Sequence, residues 1–290
     1  MQFNKKLILI DGHALFHRAY HALPEMRGPG GFPTGAIFGF LSMFFKALAD
    51  IKPTHALVTF DVKGPTFRDK MSADYKATRK PPPDDLNMQL PKLKEILEAL
   101  EIPIYEKEGF EADDLLGIIS HKTPKDVLNI IVTGDLDLLQ LINDNTQVYK
   151  FRIGFSDIQI FDEAKMIEVY GLKPSQWVDY KALRGDPSDN IPGVKGIGQK
   201  GATELIQNFI NLDGVYLVAE AGNSRIKPAT LKKLLAEKDK AYLSQKLANI
   251  NRENNLDLDF EQSKMSNYNK DKVIELLQAL GIRALNNRLP

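Results

Sequence analysis

Apolar runs in the first half of the chain stop at acids. KLILI (6–10) runs into Asp11, HALVTF (55–60) into Asp61, and VLNIIVTG (127–134) into Asp135. IPIYEKEG (102–109) is a fourth run of strand character and leads to Glu111. Between these runs the apolar spacing becomes helical, over 35–50, over LNMQLPKLKEILEAL (86–100) and over DDLLGIISHK (113–122). Strands alternating with helices predict an α/β domain with a mostly parallel sheet covered on both faces. Such a sheet gathers its carboxyl ends on one edge, where ligands bind. Asp11, Asp61, Glu111 with Asp113 and Asp114, and Asp135 with Asp137 are therefore expected to converge. One Asp after a strand is ordinarily a helix cap or a turn residue. Acid at four strand exits in four is a pattern that caps alone do not account for.

Two regions break the alternation. Residues 62–85 carry four prolines and no apolar periodicity. Within 63–80, Lys63, Arg68, Lys70, Lys76, Arg79 and Lys80 outnumber Asp69 and Asp74. This is a long basic insertion beside the acidic edge, either a solvated loop or a functional one. After about 175 the strand-like runs end, and SQWVDYKALRGD, GQKGATELIQNFI, ATLKKLLAEKDKAYLSQKLANI and KDKVIELLQALGI all read as helices. The expected division is an α/β domain over 1–175 and a helical subdomain over 176–290.

Composition narrows the chemistry. Lys+Arg and Asp+Glu both number 38 in 290 residues, so any nucleic-acid footprint must be local. The absence of cysteine removes disulfides, thiolate zinc sites and cysteine nucleophiles, and fits a reducing cytoplasm. Asp11 ends the apolar run that follows Lys5 and Lys6, so the start does not read as a signal peptide. The most apolar later segment, 36–49, is 14 residues long and contains Lys46, which suits a buried helix and not a membrane span.

GVKGIGQKGA (193–202) holds Gly196, Gly198 and Gly201 in a formal G-x-G-x-x-G. A dinucleotide site needs a strand directly before that pattern, and here GDPSDNIP reads as a turn. The P-loop pattern fails because Gln199, not Lys, follows Gly198. The better reading is a hairpin between two helices, at about 184–209, whose glycines let backbone N–H groups approach a phosphate closely. Lys195 and Lys200 add charge, and such a grip holds a DNA backbone without reading its sequence. His13, His17 and His21 fall at i, i+4, i+8, a spacing open to a zinc reading or to an exposed helix face.

LIDGHALFHRAYHAL, VTFDVKGPTFRD, DYKATRKPPPDD, EGFEADDLLG, IVTGDLDLLQL and ALRGDPSDNIPGVKGIGQKGA, in that order, resemble the motifs of the bacterial 5′–3′ exonuclease and flap endonuclease family, and in particular the 5′ nuclease domain of DNA polymerase I. The likeness runs to LLQALGIRALNNRLP at the end of the chain. It implies a PIN-like 5′ nuclease fold with a helical arch at 62–85 and a helix-hairpin-helix motif. It also implies a metal-dependent nuclease that removes 5′ flaps and RNA primers in replication and repair. By the same resemblance Asp11, Asp61, Glu111 and Asp113 match a first metal cluster, and Asp114, Asp135, Asp137, Asp186 and Asp189 a second. An oxygen-only set of ligands suits two Mg²⁺ or Mn²⁺ ions, about 3.5–4 Å apart. Lys76 and Arg79 of the arch would face the scissile phosphate, with Arg68 a further candidate.

DNA contacts are expected from Arg18, His17, Tyr20, Gly193, Lys195, Gly196, Gly198 and Lys200, with a K⁺ ion at the hairpin as a family expectation. The family commonly has tyrosine where this chain has His17, so Phe16 or Tyr20 are alternative stacking residues. The resemblance further implies a monomer acting on flaps, nicks or RNA primers, free-standing or joined to a polymerase domain in cis. Two rivals are a ribonuclease on a similar acidic sheet and a DNA-binding module without activity. The insertion and the hairpin argue against the first, and the full set of acids against the second.

Overall fold

The computed structural model describes residues 3–222, 224–253 and 256–290. Among these residues six strands form one sheet in the order β3-β2-β1-β4-β5-β6. They are β1 (Lys5–Asp11), β2 (His55–Thr59), β3 (Ile104–Tyr105), β4 (Val127–Thr133), β5 (Thr146–Phe151) and β6 (Ile158–Phe161). The first five run parallel and β6 pairs antiparallel with β5. The first three strand predictions hold to within a residue or two, and the fourth run forms only the two-residue β3. Neither β5 nor β6 was anticipated.

Successive residues of a strand point to opposite faces, and both faces of β1 are buried. Leu7 and Leu9 join a core with Leu115, Ile119 and Trp177, while Ile8 and Ile10 join another with Phe40, Phe44 and Leu97. The second core is covered by α1 (Gly12–Ala22), α2 (Gly35–Ile51) and α4 (Asp84–Ala99). The 62–85 segment is mostly irregular, with one five-residue helix, α3 (Phe67–Met71), ahead of α4. The expected helical arch is therefore a short helix followed by turns.

The first core is covered by α5 (Ala112–Lys122) and by the helical half of the chain. That half contains α6 (Glu163–Tyr170), α7 (Trp177–Arg184), α8 (Gln199–Phe209), α9 (Leu212–Glu220), α10 (Pro228–Ala236), α11 (Lys238–Ala248) and α12 (Lys270–Ala279). Its end returns to the sheet. The Phe260 ring stacks on His55 at 4.2 Å, and the Met265 N–H donates to the Thr54 carbonyl at 3.0 Å. Val273, Leu277 and Leu285 complete the second core. Among the described residues, no helix is long and apolar enough to cross a membrane.

Candidate active site

The carboxyl ends of the parallel strands open into a cavity of about 380 Å³ bordered by Asp11, Asp61, Glu111, Asp113, Asp135 and Asp189. Asp11 ends β1 and caps α1, accepting the Ala14 N–H at 3.0 Å and the Thr133 hydroxyl at 2.6 Å. Asp61 follows β2 and accepts the Ala112 N–H at 2.6 Å, which ties it to the start of α5. Burial, together with Asp135 and Asp61 nearby, pushes Asp11 up to about 7. Burial and the neighbouring Asp11 and Asp135 likewise hold Asp113 well above the usual carboxylate range. These acids sit together without enough positive charge to match them, so the cavity favours a cation.

The basic insertion folds down onto that cavity. Lys76 Nζ lies 2.7 Å from Glu111 Oε1, and an Arg79 guanidinium nitrogen 2.5 Å from Asp189 Oδ1. Tyr75 was not singled out from sequence, yet its hydroxyl lies 3.1 Å from Glu111 Oε2 and 3.4 Å from Asp189 Oδ2. Burial and those two acids keep it protonated. Lys76 adopts a left-handed backbone (φ 52°), held by its N–H bond to the Asp189 carbonyl at 2.9 Å. A lysine in that region costs energy, and such costs cluster where the surroundings fix a functional geometry.

Asp114, Arg68 and Tyr20 lie away from the cavity. Asp114 is fully buried, and its carboxylate accepts both forks of Arg68, at 2.7 and 2.8 Å. It also accepts the backbone N–H groups of Glu111 and Asn251. Asp113 and Asp114 are consecutive helix residues, about 100° apart around the axis, so only one of them faces the cavity. Arg68 is spent on that pair and on the carbonyls of Leu247 and Asn249, and is therefore a structural latch instead of a phosphate ligand. Tyr20 packs against the second core, and Phe16 is buried in it. His17, unlike them, borders the cavity. Burial, with His13 and His21 beside it, pushes His17 down to about 4, so its ring is neutral at pH 7. The His13, His17 and His21 rings form a row with centroids 5.2 and 6.5 Å apart, and no zinc set assembles from them.

Asp137 and Asp186 border a neighbouring lobe of about 690 Å³, which shares Asp135 with the acidic cavity. The buried Lys181 ammonium sits between them, contacting Asp137 and lying 2.6 Å from Asp186 Oδ2. Lys181 was missed because a helix position four residues past Trp177 carries no motif signal.

The hairpin links α7 to α8. Its first turn closes through an Asp186–Ile191 bridge, and the Val194 N–H donates to the Leu183 carbonyl at 2.9 Å. Gly193 and Gly196 both have positive φ, which a side chain would resist. Lys195, Gly196, Gly198 and Lys200 are exposed along it.

Family models describe what this frame is. Residues 6–171 match the 5′-3′ exonuclease N-terminal resolvase-like domain, and residues 172–271 the 5′-3′ exonuclease C-terminal SAM fold. The chain belongs to the 5′–3′ exonuclease family. It is 40% identical over 289 residues to DNA polymerase I of Caldicellulosiruptor bescii, covering 98% of this chain and 33% of that protein. It is 37% identical over 291 residues to DNA polymerase I of Bacillus subtilis, covering 100% of this chain and 33% of that protein. This exonuclease-family chain thus spans about a third of the curated relatives it matches. Among solved structures, T5 5′-exonuclease with bound zinc is similar at a TM-score of 0.68 and 20% identity, covering 98% of this chain and 97% of that one. The catalytic core of Rad2 in complex with DNA substrate is similar at a TM-score of 0.61 and 17% identity, covering 99% and 92%. Those likenesses show the fold of the 5′–3′ exonuclease family.

Proposed function

We propose that this chain hydrolyses phosphodiester bonds at DNA 5′ ends and 5′ flaps, with divalent cations at the acidic cavity. One observation carries the reading: acids from β1, β2, the start of α5 and the loop after β4 face one opening, and Lys76 and Arg79 cover it. The donor set fits hard cations, because every acid offers oxygen, and burial and neighbouring acids hold Asp11 and Asp113 above the usual carboxylate range. Mg²⁺ or Mn²⁺ bound there would keep several of its waters. Asp11, Asp61, Glu111, Asp113 and Asp135 are the residues that would hold them, with Asp189, Asp137 and Asp186 at the margin. A pair of divalent ions held by these residues would supply activation of a water and stabilisation of the leaving oxygen.

The chain's own groups do the rest. Lys76 and Arg79 exchange Glu111 and Asp189 for phosphate oxygens and offset charge that builds on the phosphoryl group. His17 supplies a neutral ring for the adjacent base, and Arg18 and the hairpin hold backbone phosphates. The product keeps its 5′ phosphate. The T5 protein that binds zinc and the Rad2 core that binds DNA support this reading. The substrates extend to nicks and RNA primers, with K⁺ at the hairpin, in a cytoplasmic monomer, free-standing or joined to a polymerase domain in cis. Residues 1–175 carry the chemistry and 176–290 the duplex grip.

The test is incubation with Mg²⁺, a 5′-flap DNA and a single-stranded RNA, with and without excess chelator. Cutting of the flap alone, lost in chelator, is expected. Preferential cutting of RNA, or cutting that survives the chelator, overturns the reading.

A further inference from the structure

The lobe of about 690 Å³ beside the acids differs from them in charge. Its lining includes Arg18, Lys150 and Arg184, none of which has a carboxylate within ion-pair distance among the described residues, whereas Lys181 in the same lobe is matched by Asp137 and Asp186. Arg18 spends hydrogen bonds on the carbonyls of Arg152 (2.7 Å) and Gly154 (3.3 Å), which aim its guanidinium without neutralising it. Arg184 lies against the Tyr180 ring, 5.8 Å from its centroid. Lys150 is half-buried in β5, and burial and the repulsion of Arg18 and Arg152 lower its pKa against the pull of Asp135. Cations kept close together in a concave, partly desolvated wall are stabilised by an anion.

The lobe's borders name that anion. Its lining includes Gln199, the first residue of α8 after the hairpin. It also includes Asp135, which borders the acidic cavity as well. A strand held at the hairpin and cut at the acids has to cross the space between them. We infer that Arg18, Lys150 and Arg184 form a phosphate passage that carries the DNA strand from the hairpin to the acidic cavity, with Lys150 and Arg184 as positioning residues. The inference rests on the 5′ nuclease reading given above.

The test is a salt titration of 5′-flap DNA binding in chelator, for the wild type, Lys150→Met, Lys150→Arg and Lys150→Met with Arg184→Ala. Each lost phosphate contact removes about 0.9 from the slope of log affinity against log salt. Lys150→Met is expected to lower the slope by about one such step and the double variant by about two, while Lys150→Arg keeps the wild-type value. Replacing single phosphates of the retained strand by neutral methylphosphonates is expected to weaken the wild type at one linkage to which Lys150→Met is indifferent. If Lys150→Met keeps the wild-type slope and the wild-type response to every neutral linkage, the passage is wrong. If instead the wild type does not cut the flap in Mg²⁺, the nuclease reading itself fails, and the two failures are told apart.

Discussion

The guanidinium of Arg68 and the carboxylate of Asp114 form a two-pronged ion pair, Nη1 to Oδ2 at 2.7 Å and Nη2 to Oδ1 at 2.8 Å, with both side chains buried. The pair fastens the basic insertion to α5, next to the acids that α5 presents. Removing one member of a buried pair leaves an uncompensated charge, which costs about 3–5 kcal/mol. Arg68→Met and Asp114→Asn are both expected to lose stability of that order in urea denaturation. Mn²⁺ binding by calorimetry is expected to survive Asp114→Asn and to weaken in Asp113→Asn. Loss of Mn²⁺ binding in a folded Asp114→Asn protein would return Asp114 to the metal site.

Lys76 is held to Glu111 and lies 3.9 Å from Asp189. Its proposed work is done in the transition state, so its loss should appear in rate before affinity. Lys76→Ala is expected to lower single-turnover cleavage of a 5′ flap about 10²-fold or more, with a smaller change in DNA affinity. An equal loss in both would mean that Lys76 only binds. Tyr75→Phe removes the hydroxyl shared between Glu111 and Asp189, and a smaller loss of rate is expected in the same assay.

Asp11 makes the metal-free protein sensitive to pH. Its folded value, pushed up to about 7, exceeds the 3.8 of an exposed aspartate. Between those values the folded protein binds the extra proton, so stability from this group is full below about 4 and is lost as pH rises through about 7. In chelator, the difference in urea midpoint between wild type and Asp11→Asn is expected to shift in favour of Asn across that window. Divalent cations compete with the proton, so their affinity for the wild type rises over the same range. A difference that stays flat from pH 4 to 8 would mean that Asp11 is ionised throughout.

Much of this site was legible because strand exits are marked by apolar runs and a parallel sheet gathers those exits. Asp11, Asp61, Glu111, Asp113 and Asp135 come together for that reason. What the pattern could not tell was which way consecutive acids point. Asp113 and Asp114 are equivalent in sequence, and only the position of Arg68 on α3 decides that one faces the cavity and the other the latch. Nor could it find Lys181 or Lys150, whose meaning depends on Asp137, Asp186 and Arg18 arriving from other elements. Strands β5 and β6 were missed because TQVYKF and IQIF are short and partly polar.

The hairpin glycines separate fold from grip. At Gly193 the backbone is left-handed (φ 61°), and a Cβ would stand 2.3 Å from the backbone nitrogen of Gly185, where nothing flexible can yield. Gly193→Ala is therefore expected to unseat the hairpin, with lower thermal stability and weaker DNA binding together. At Gly196 φ is also positive (81°), but the nearest atom to a Cβ is Lys233 Nζ at 2.9 Å, the far end of a mobile side chain. Alanine there costs about 1 kcal/mol or somewhat more through backbone strain. Gly198 has ordinary backbone and open space around it, so Gly198→Ala should leave the melting temperature unchanged. If the N-terminus of α8 receives a phosphate, that added methyl stands where the strand approaches. DNA affinity would then fall in Gly198→Ala while stability holds, measured by fluorescence anisotropy on duplex DNA at several salt concentrations. Unchanged affinity would show that the phosphate lies farther along the hairpin, toward Lys195.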